Sequence, residues 1–243
     1  MKTIKLFVLL VAAFGLFFTS CQKDSDIPTS GDSSLGIQLQ AINKTFSFVG
    51  TKALTAGTLS WDTCRMYVSR IHFEAMQKCG DSITYKFSAE FKIKGPKLVD
   101  LFNVDAVLGD LPLQPGNYSK IALQIQSNKR DAGKSPVFYL SGKYTNASGV
   151  VSPIAVVINE DIKFNMSAKD LTGNATVESL AALFQLDLST LISKNITEAE
   201  LDNAVKDGKI VISKESNIEL YKKILKRVDQ FKYIRYKRGN DKH

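Results

Sequence analysis

Between Ile83 and Lys94 the chain alternates without a break. Ile83, Tyr85, Phe87, Ala89, Phe91 and Ile93 fall on one parity, and Thr84, Lys86, Ser88, Glu90, Lys92 and Lys94 on the other. A period of two held over twelve residues is the signature of an extended strand with one buried and one wetted face. The run before it, residues 65–76, sets Tyr67, Ile71, Phe73 and Ala75 on one face. Gly80-Asp81-Ser82 lies between the two runs, so they are expected to pair as a long hairpin.

The rest of the chain supplies partners. Residues 37–48 carry two apolar stretches around Asn43-Lys44 and begin the fold. Residues 97–102 continue the sheet. Pro115-Gly116 within residues 114–117 predicts a type II turn, because proline presets φ at the first inner position and glycine accepts φ > 0 at the second. Residues 118–126 return as a strand with Ile121, Leu123 and Ile125 inward, and residues 128–134 form a polar loop. Residues 137–144 and 150–159 make a second hairpin across Asn146-Ala147-Ser148-Gly149. Ile162, Phe164 and Met166 mark a further strand, as do Phe184, Leu186 and Leu188.

In the last quarter the period changes. Thr197 and Glu200 have the spacing of a capping box, and Leu201 with Val205 gives one apolar side to the short helix it starts. Asp207-Gly208 ends that helix, and residues 209–213 form a short strand. Ser216 with Glu219 opens another helix, in which Ile218, Tyr221, Leu225 and Val228 recur at helical spacing.

At the other end, Lys2 and Lys5 precede an uncharged apolar run of 13 residues, 6–18. A helix that spans a bilayer needs about 20 apolar residues, so this run suits the core of a secretory signal. Phe18-Thr19-Ser20-Cys21 follows and resembles the lipobox of bacterial lipoproteins, in which the cysteine thiol receives diacylglycerol and becomes the new N-terminus. That pattern prefers Leu where Phe18 stands and Gly or Ala where Ser20 stands. The resemblance implies lipidation at Cys21, loss of residues 1–20 and anchoring by two or three acyl chains, which is stable where a single chain is marginal. Gln22-Lys23-Asp24-Ser25-Asp26 resembles, in less acidic form, the charged export signal of surface lipoproteins in the Bacteroidetes. The implied location is the outer membrane, lipid-anchored, with cell-surface exposure as a further step. Residues 21–36, rich in Ser, Asp and Gly after the cysteine, read as a lipidated solvated tether.

The formal charge of +8 is unevenly spread. Residues 221–243 hold nine Lys/Arg against Asp229 and Asp241, which leaves the body close to neutral. The tail interleaves Phe231, Tyr233, Ile234 and Tyr236 with Lys232, Arg235, Lys237 and Arg238. Such a mixture suits anionic lipid or polysaccharide, and outside the cytoplasm nucleic acid is not a partner. A last strand with a wetted charged face explains the same pattern. Beyond Cys21 the cysteines are Cys64 and Cys79. An even pair in an oxidising compartment suggests a disulfide. If residues 64–75 are one extended strand, however, the pair lies far beyond the roughly 7 Å that bridged Cα atoms allow. Disulfide and two buried thiols stand as alternatives.

Three blocks point to a family. Ile71-His72-Phe73-Glu74-Ala75, then Leu98-Val99-Asp100-Leu101, then Leu111-Pro112-Leu113-Gln114-Pro115-Gly116-Asn117-Tyr118-Ser119-Lys120-Ile121 resemble bacterial envelope lipoproteins of the Bacteroidetes type. Members of that family carry a transthyretin-like (prealbumin-like) β-sandwich domain of uncharacterised function. The resemblance is loose over residues 36–213 and close in those blocks. It implies a mainly β fold, a two-sheet antiparallel β-sandwich over residues 37–213, to which the helical spacing and the charge pattern add a C-terminal helix at 214–230 and the basic aromatic tail at 231–243. It carries over no catalytic residues.

Chemistry is sparse. His72 is the one histidine inside the domain, on the face opposite Phe73, and reads as solvated or paired with a neighbour. Asp100, Asn103 and Asp105 come closest to a metal set but lack calcium-loop spacing, so a strand-to-turn cap is the expected role. Glu160-Asp161 reads as a turn, and no glycine-rich phosphate loop is present. Asp81-Ser82-Ile83 resembles the short O-glycosylation site of Bacteroidetes envelope proteins, with Ser82 as acceptor. The sequence thus predicts no catalytic residue, no metal and no cofactor. The expected function is a non-enzymatic binding or structural module, with the membrane and envelope proteins or glycans as partners. The alternatives are a fimbrial assembly subunit that exchanges strands and a glycan-binding surface protein, which a single tryptophan, Trp61, serves poorly.

Overall fold

Thr58–Cys79 runs as one 22-residue strand, β3, several times longer than the usual five or six residues. The computed structural model describes residues 34–48, 56–79, 83–103, 107–112, 117–169, 180–228 and 234–238, all within the compact unit Gly31–His243. The alternating stretch is part of an 18-residue strand, β4 (Ile83–Asp100), which pairs antiparallel with β3 from Arg65↔Asp100 to Cys79↔Ile83. The long hairpin read from the sequence therefore forms, and residues 97–100 belong to β4 itself.

Both edges of β3 are used. On the β4 side, its start also pairs with β2 (Thr45–Ser47). On the other side it pairs first with β7 (Phe138–Thr145) and then with β6 (Asn117–Ser127). A strand this long stays in register only by bulging. Register shifts fall between Trp61 and Thr63 against β7 and between Val68 and Arg70 against β4. The first adds one residue to β3, and at the second one residue of β3 stands against four of β4, residues 93–96, that are left out of the ladder; each flips which parity of β3 faces the core. Burial follows the flips: Leu59 and Trp61, then Cys64, Met66 and Val68, then Ile71 and Phe73. The single face expected through Tyr67, Ile71 and Phe73 is accordingly broken, and Tyr67 is only half-buried.

β7 continues into a hairpin with β8 (Val151–Ile158), closed at Gly149 with φ of 81°. Gly142 of β7 faces the first bulge so closely that a Cβ there would stand 2.0 Å from the Ser60 carbonyl oxygen. β9 (Ile162–Lys169) flanks β6, and β11 (Ile210–Ile212) flanks β8, completing an eight-stranded sheet among the described residues. The second sheet has four strands: β5 (Val107–Pro112), β1 (Ser34–Ile42), β10 (Leu180–Asp187) and β12 (Ile234–Arg238), in that order. β1 starts at Ser34, inside the stretch read as tether.

The architecture is mainly β with mixed sheets. The expected purely antiparallel arrangement is corrected at two places, where β1 runs parallel to β10 and β8 parallel to β11. Parallel neighbours need a long connection, and both pairs are far apart in sequence. One core cluster includes Leu39 and Ala41 of β1, Leu186 of β10 and the buried residues of β3.

Four helices complete the described structure. α1 (Lys129–Ala132) is a single turn where a polar loop was expected. α2 (Leu188–Ser193) replaces the expected continuation of the β10 strand through Leu188. α3 (Glu198–Asn203) carries the predicted capping box with both of its hydrogen bonds. It buries Leu201 and ends before Val205, which is exposed. The turn at Asp207 and Gly208, φ 51° and 73°, opens the short strand β11. α4 (Ile218–Val228) forms as expected, but turned about its axis. Leu220, Tyr221 and Ile224 are buried, Leu225 is partly so, and Ile218 is 46 % exposed.

Candidate functional site

Several polar side chains engaged by the fold gather around the helical segment that follows β10. The strand ends at Asp187 because its carboxylate caps α2, accepting from the Ser189 and Thr190 amides at 2.9 and 3.2 Å. The Ser189 and Thr190 hydroxyls also donate to it, as does Asn43 Nδ2 at 2.8 Å. Partial burial on its own would raise the carboxyl pKa. The bonds from Ser189, Asn43 and Thr190 together outweigh it and hold the group below the usual carboxylate range. Asn43 itself sits at φ 59°, the bend between β1 and β2.

Beyond α2, a groove of about 560 Å³ opens between α3 and the start of α4. Its charged and polar wall includes Glu200, Lys206, Lys214, Glu215, Asn217 and Glu219. The carboxylates there are already engaged. Glu200 accepts from the Thr197 amide at 3.0 Å and pairs with Lys223, and the Lys223 contact leads in lowering its pKa. Glu215 accepts from the Ser213 hydroxyl at 3.0 Å, and Glu219 pairs with Lys222. Asn217, at φ 53°, ties the groove floor by donating to the Ala204 and Val211 carbonyls. Among the described residues no cluster of three His, Cys, Asp or Glu side chains is placed to hold a metal ion.

Two tyrosines bind the helices to the sheet. Tyr144 of β7 is buried and donates to Asp202 Oδ1 at 2.9 Å. Tyr221 of α4 donates to Glu160. Burial first, and then the neighbouring carboxylate, pushes both phenols well above their ordinary value. They stay protonated donors at any ordinary pH. These bonds tie α3 to β7 and α4 to the turn between β8 and β9.

The residues singled out from the sequence do not converge. His72 is half-buried in β3, between Glu90 of β4 and Gln124 of β6 in the register. Asp100 caps the end of β4, its Oδ1 accepting from the Phe102 amide at 3.0 Å, as expected, and Asp105 lies outside the described residues. Asp161 accepts from the Lys129 amide at 2.7 Å and Glu160 from Tyr221, so this turn pair also has structural work. Cys64 is a free, fully buried thiol, with its pKa pushed up by burial and then by the Asp100 charge. Cys79 lies fifteen residues further along the same strand, about 50 Å at a strand's rise, so the two cannot bridge within one chain. Arg235, Lys237 and Arg238 sit on β12, opposite Leu183, Ala181 and Leu180 of β10. Cys21, Ser82, Lys232 and the turn at 114–117 lie wholly or mostly outside the described residues.

Sequence reasoning missed Asp187, Tyr144, Asn217 and Tyr221 as organising polar groups. The signal for Asp187 was present in Ser189 and Thr190, two and three positions on, but the apolar beat of Leu186 and Leu188 hid it.

A different kind of surface lies along β4. Among the described strands it pairs only with β3, so no described strand lies along its other edge. An open edge presents a row of backbone donors and acceptors ready for another strand. Among the described residues no helix is long and apolar enough to cross a membrane. In comparisons with known families, curated proteins and solved structures, no family model, no curated protein and no solved structure matches the chain.

Proposed function

We propose that the chain is a lipid-anchored lipoprotein of the outer membrane whose folded part is a transthyretin-like two-sheet sandwich, acting as a non-enzymatic binding or structural module of the envelope. One observation carries the reading. A basic start, a 13-residue apolar core, small residues and Cys21 follow in the order that lipoprotein processing requires, with a β-rich domain beginning soon after at Ser34. The mainly β architecture and the core cluster drawing on both sheets support the sandwich. The engagement of Asp187, Glu200, Glu215 and Asp202 in caps and cross-ties supports a structural rather than catalytic use of the acids.

Growth of bacteria expressing the full chain with labelled palmitate tests this. Wild type incorporates the label and sediments with the outer membrane. Cys21→Ser loses both properties. Equal labelling of the two, or none of either, overturns the reading. A second reading, a subunit of an assembly joined through strands, is favoured by the open edge of β4.

A further inference from the structure

We infer that the outer edge of β4 pairs antiparallel with the same edge of a second copy of this chain, about a two-fold axis at Ser88. The inference deepens the assembly reading and needs only the β4 edge, not the lipid. Its basis is a property of the edge sequence: residues 83–93 form a complementary pseudo-palindrome. When Ser88 faces Ser88, Lys86 of each copy stands opposite Glu90 of the other, Tyr85 opposite Phe91, and Ile83 opposite Ile93. Opposite charges and apolar pairs directly across an antiparallel ladder are the unit of its stability. A two-fold contact uses the same patch twice, so each favourable pair counts twice.

An axis at Phe87 opposes no charge to its opposite, and registers further along the strand do worse. Sliding the axis to Ala89 sets Lys86 against Lys92, and sliding it to Glu90 sets two glutamates face to face. An axis at Phe91 opposes Glu90 to Lys92 but draws Gly95 and Pro96 into the ladder, where proline offers no amide. An axis between two residues would put the charged parity beside the apolar one. The lysines that keep an open edge from pairing indiscriminately here select one register. The result is a sheet continuous through the axis, with β9, β6, β3 and β4 of each copy meeting at the two β4 strands.

Cysteine cross-linking of the full chain in the bacterial envelope tests this. Directly opposed Cα atoms of an antiparallel pair lie about 4.5–5.5 Å apart, within disulfide reach. Ser88→Cys is therefore expected to give a dimer on a non-reducing gel after mild oxidation. Glu90→Cys, whose two copies stand about 13 Å apart along the strand, is expected to give no more than the parent chain. Adding Lys86→Glu to Ser88→Cys lowers the dimer yield roughly tenfold, and adding Glu90→Lys to that pair restores it. The same pattern is expected with Cys21→Ser, which separates this result from the fate of the lipid. Absence of a Ser88→Cys dimer, equal cross-linking of Glu90→Cys, or no recovery in the charge exchange overturns the inference.

Discussion

In the ladder of β3 with β4, β6 and β7, backbone pairs repeat along the strands and side chains need only be apolar on the correct parity. In the segment running from Asp187 to Val228, each helix start depends on one or two polar side chains. Asp187 caps α2, Thr197 and Glu200 cap α3, and Asn217 positions the turn into α4. The difference teaches where information is stored. A ladder spreads its specification over many residues and fails mainly when its packing is hollowed. A capped segment concentrates it in a few hydrogen bonds and loses a modest, definite amount with each.

That contrast sets the order of effects on stability, read from urea midpoints at constant m. Phe73→Ala, which empties a fully buried position at the centre of β3, is expected to cost about 3–5 kcal/mol. Gly142→Ala forces a methyl group against the Ser60 carbonyl at the bulge and is expected to cost about 1–3 kcal/mol, as overpacking does. Asp187→Ala removes the α2 cap and is expected to cost about 1–2 kcal/mol. A cost equal to that of Phe73→Ala would break the comparison.

Asp187 also predicts a pH signature. Its carboxyl pKa is lowered in the fold, so its contribution is complete above the unfolded value of about 3.9 and is lost as pH falls through the folded value. The stability difference between wild type and Asp187→Asn should therefore shrink on acidification across that window. A difference independent of pH there would remove the carboxylate from its assigned role. At the small end stands Ser127→Ala in β6. The Ser127 hydroxyl is buried with no hydrogen-bond partner, so its removal is expected to be neutral or stabilising by up to about 1 kcal/mol.

The two regions were also unequally legible. Alternation marked β4 and its hairpin with β3, because a wetted face and a buried face leave a period of two in the sequence. It did not place the bulge near Asp62, where an inserted residue changes parity without any composition of its own, and it passed over Gly95-Pro96, which stand at the break opposite Ser69, and so Tyr67 was set on the wrong face. The capping box at Thr197 was legible because two spaced residue types define it. The pairing of β1 with β10 was not, because nothing local in Leu35 and Leu180 tells one of the other. As to the site, Asp100 was legible as a cap within its own turn. The Tyr144–Asp202 and Tyr221–Glu160 ties join residues far apart in the chain and needed the fold.

The ladder and its capped segment are what the anchor is proposed to carry, and the anchor is one thiol. Intact-mass spectrometry of the full chain, expressed in a bacterium that processes lipoproteins and extracted from its envelope, tests this most directly. The predicted product begins at Cys21 and carries diacylglycerol there. A product that retains Met1, or that begins at residue 21 with an unmodified thiol, would contradict the account.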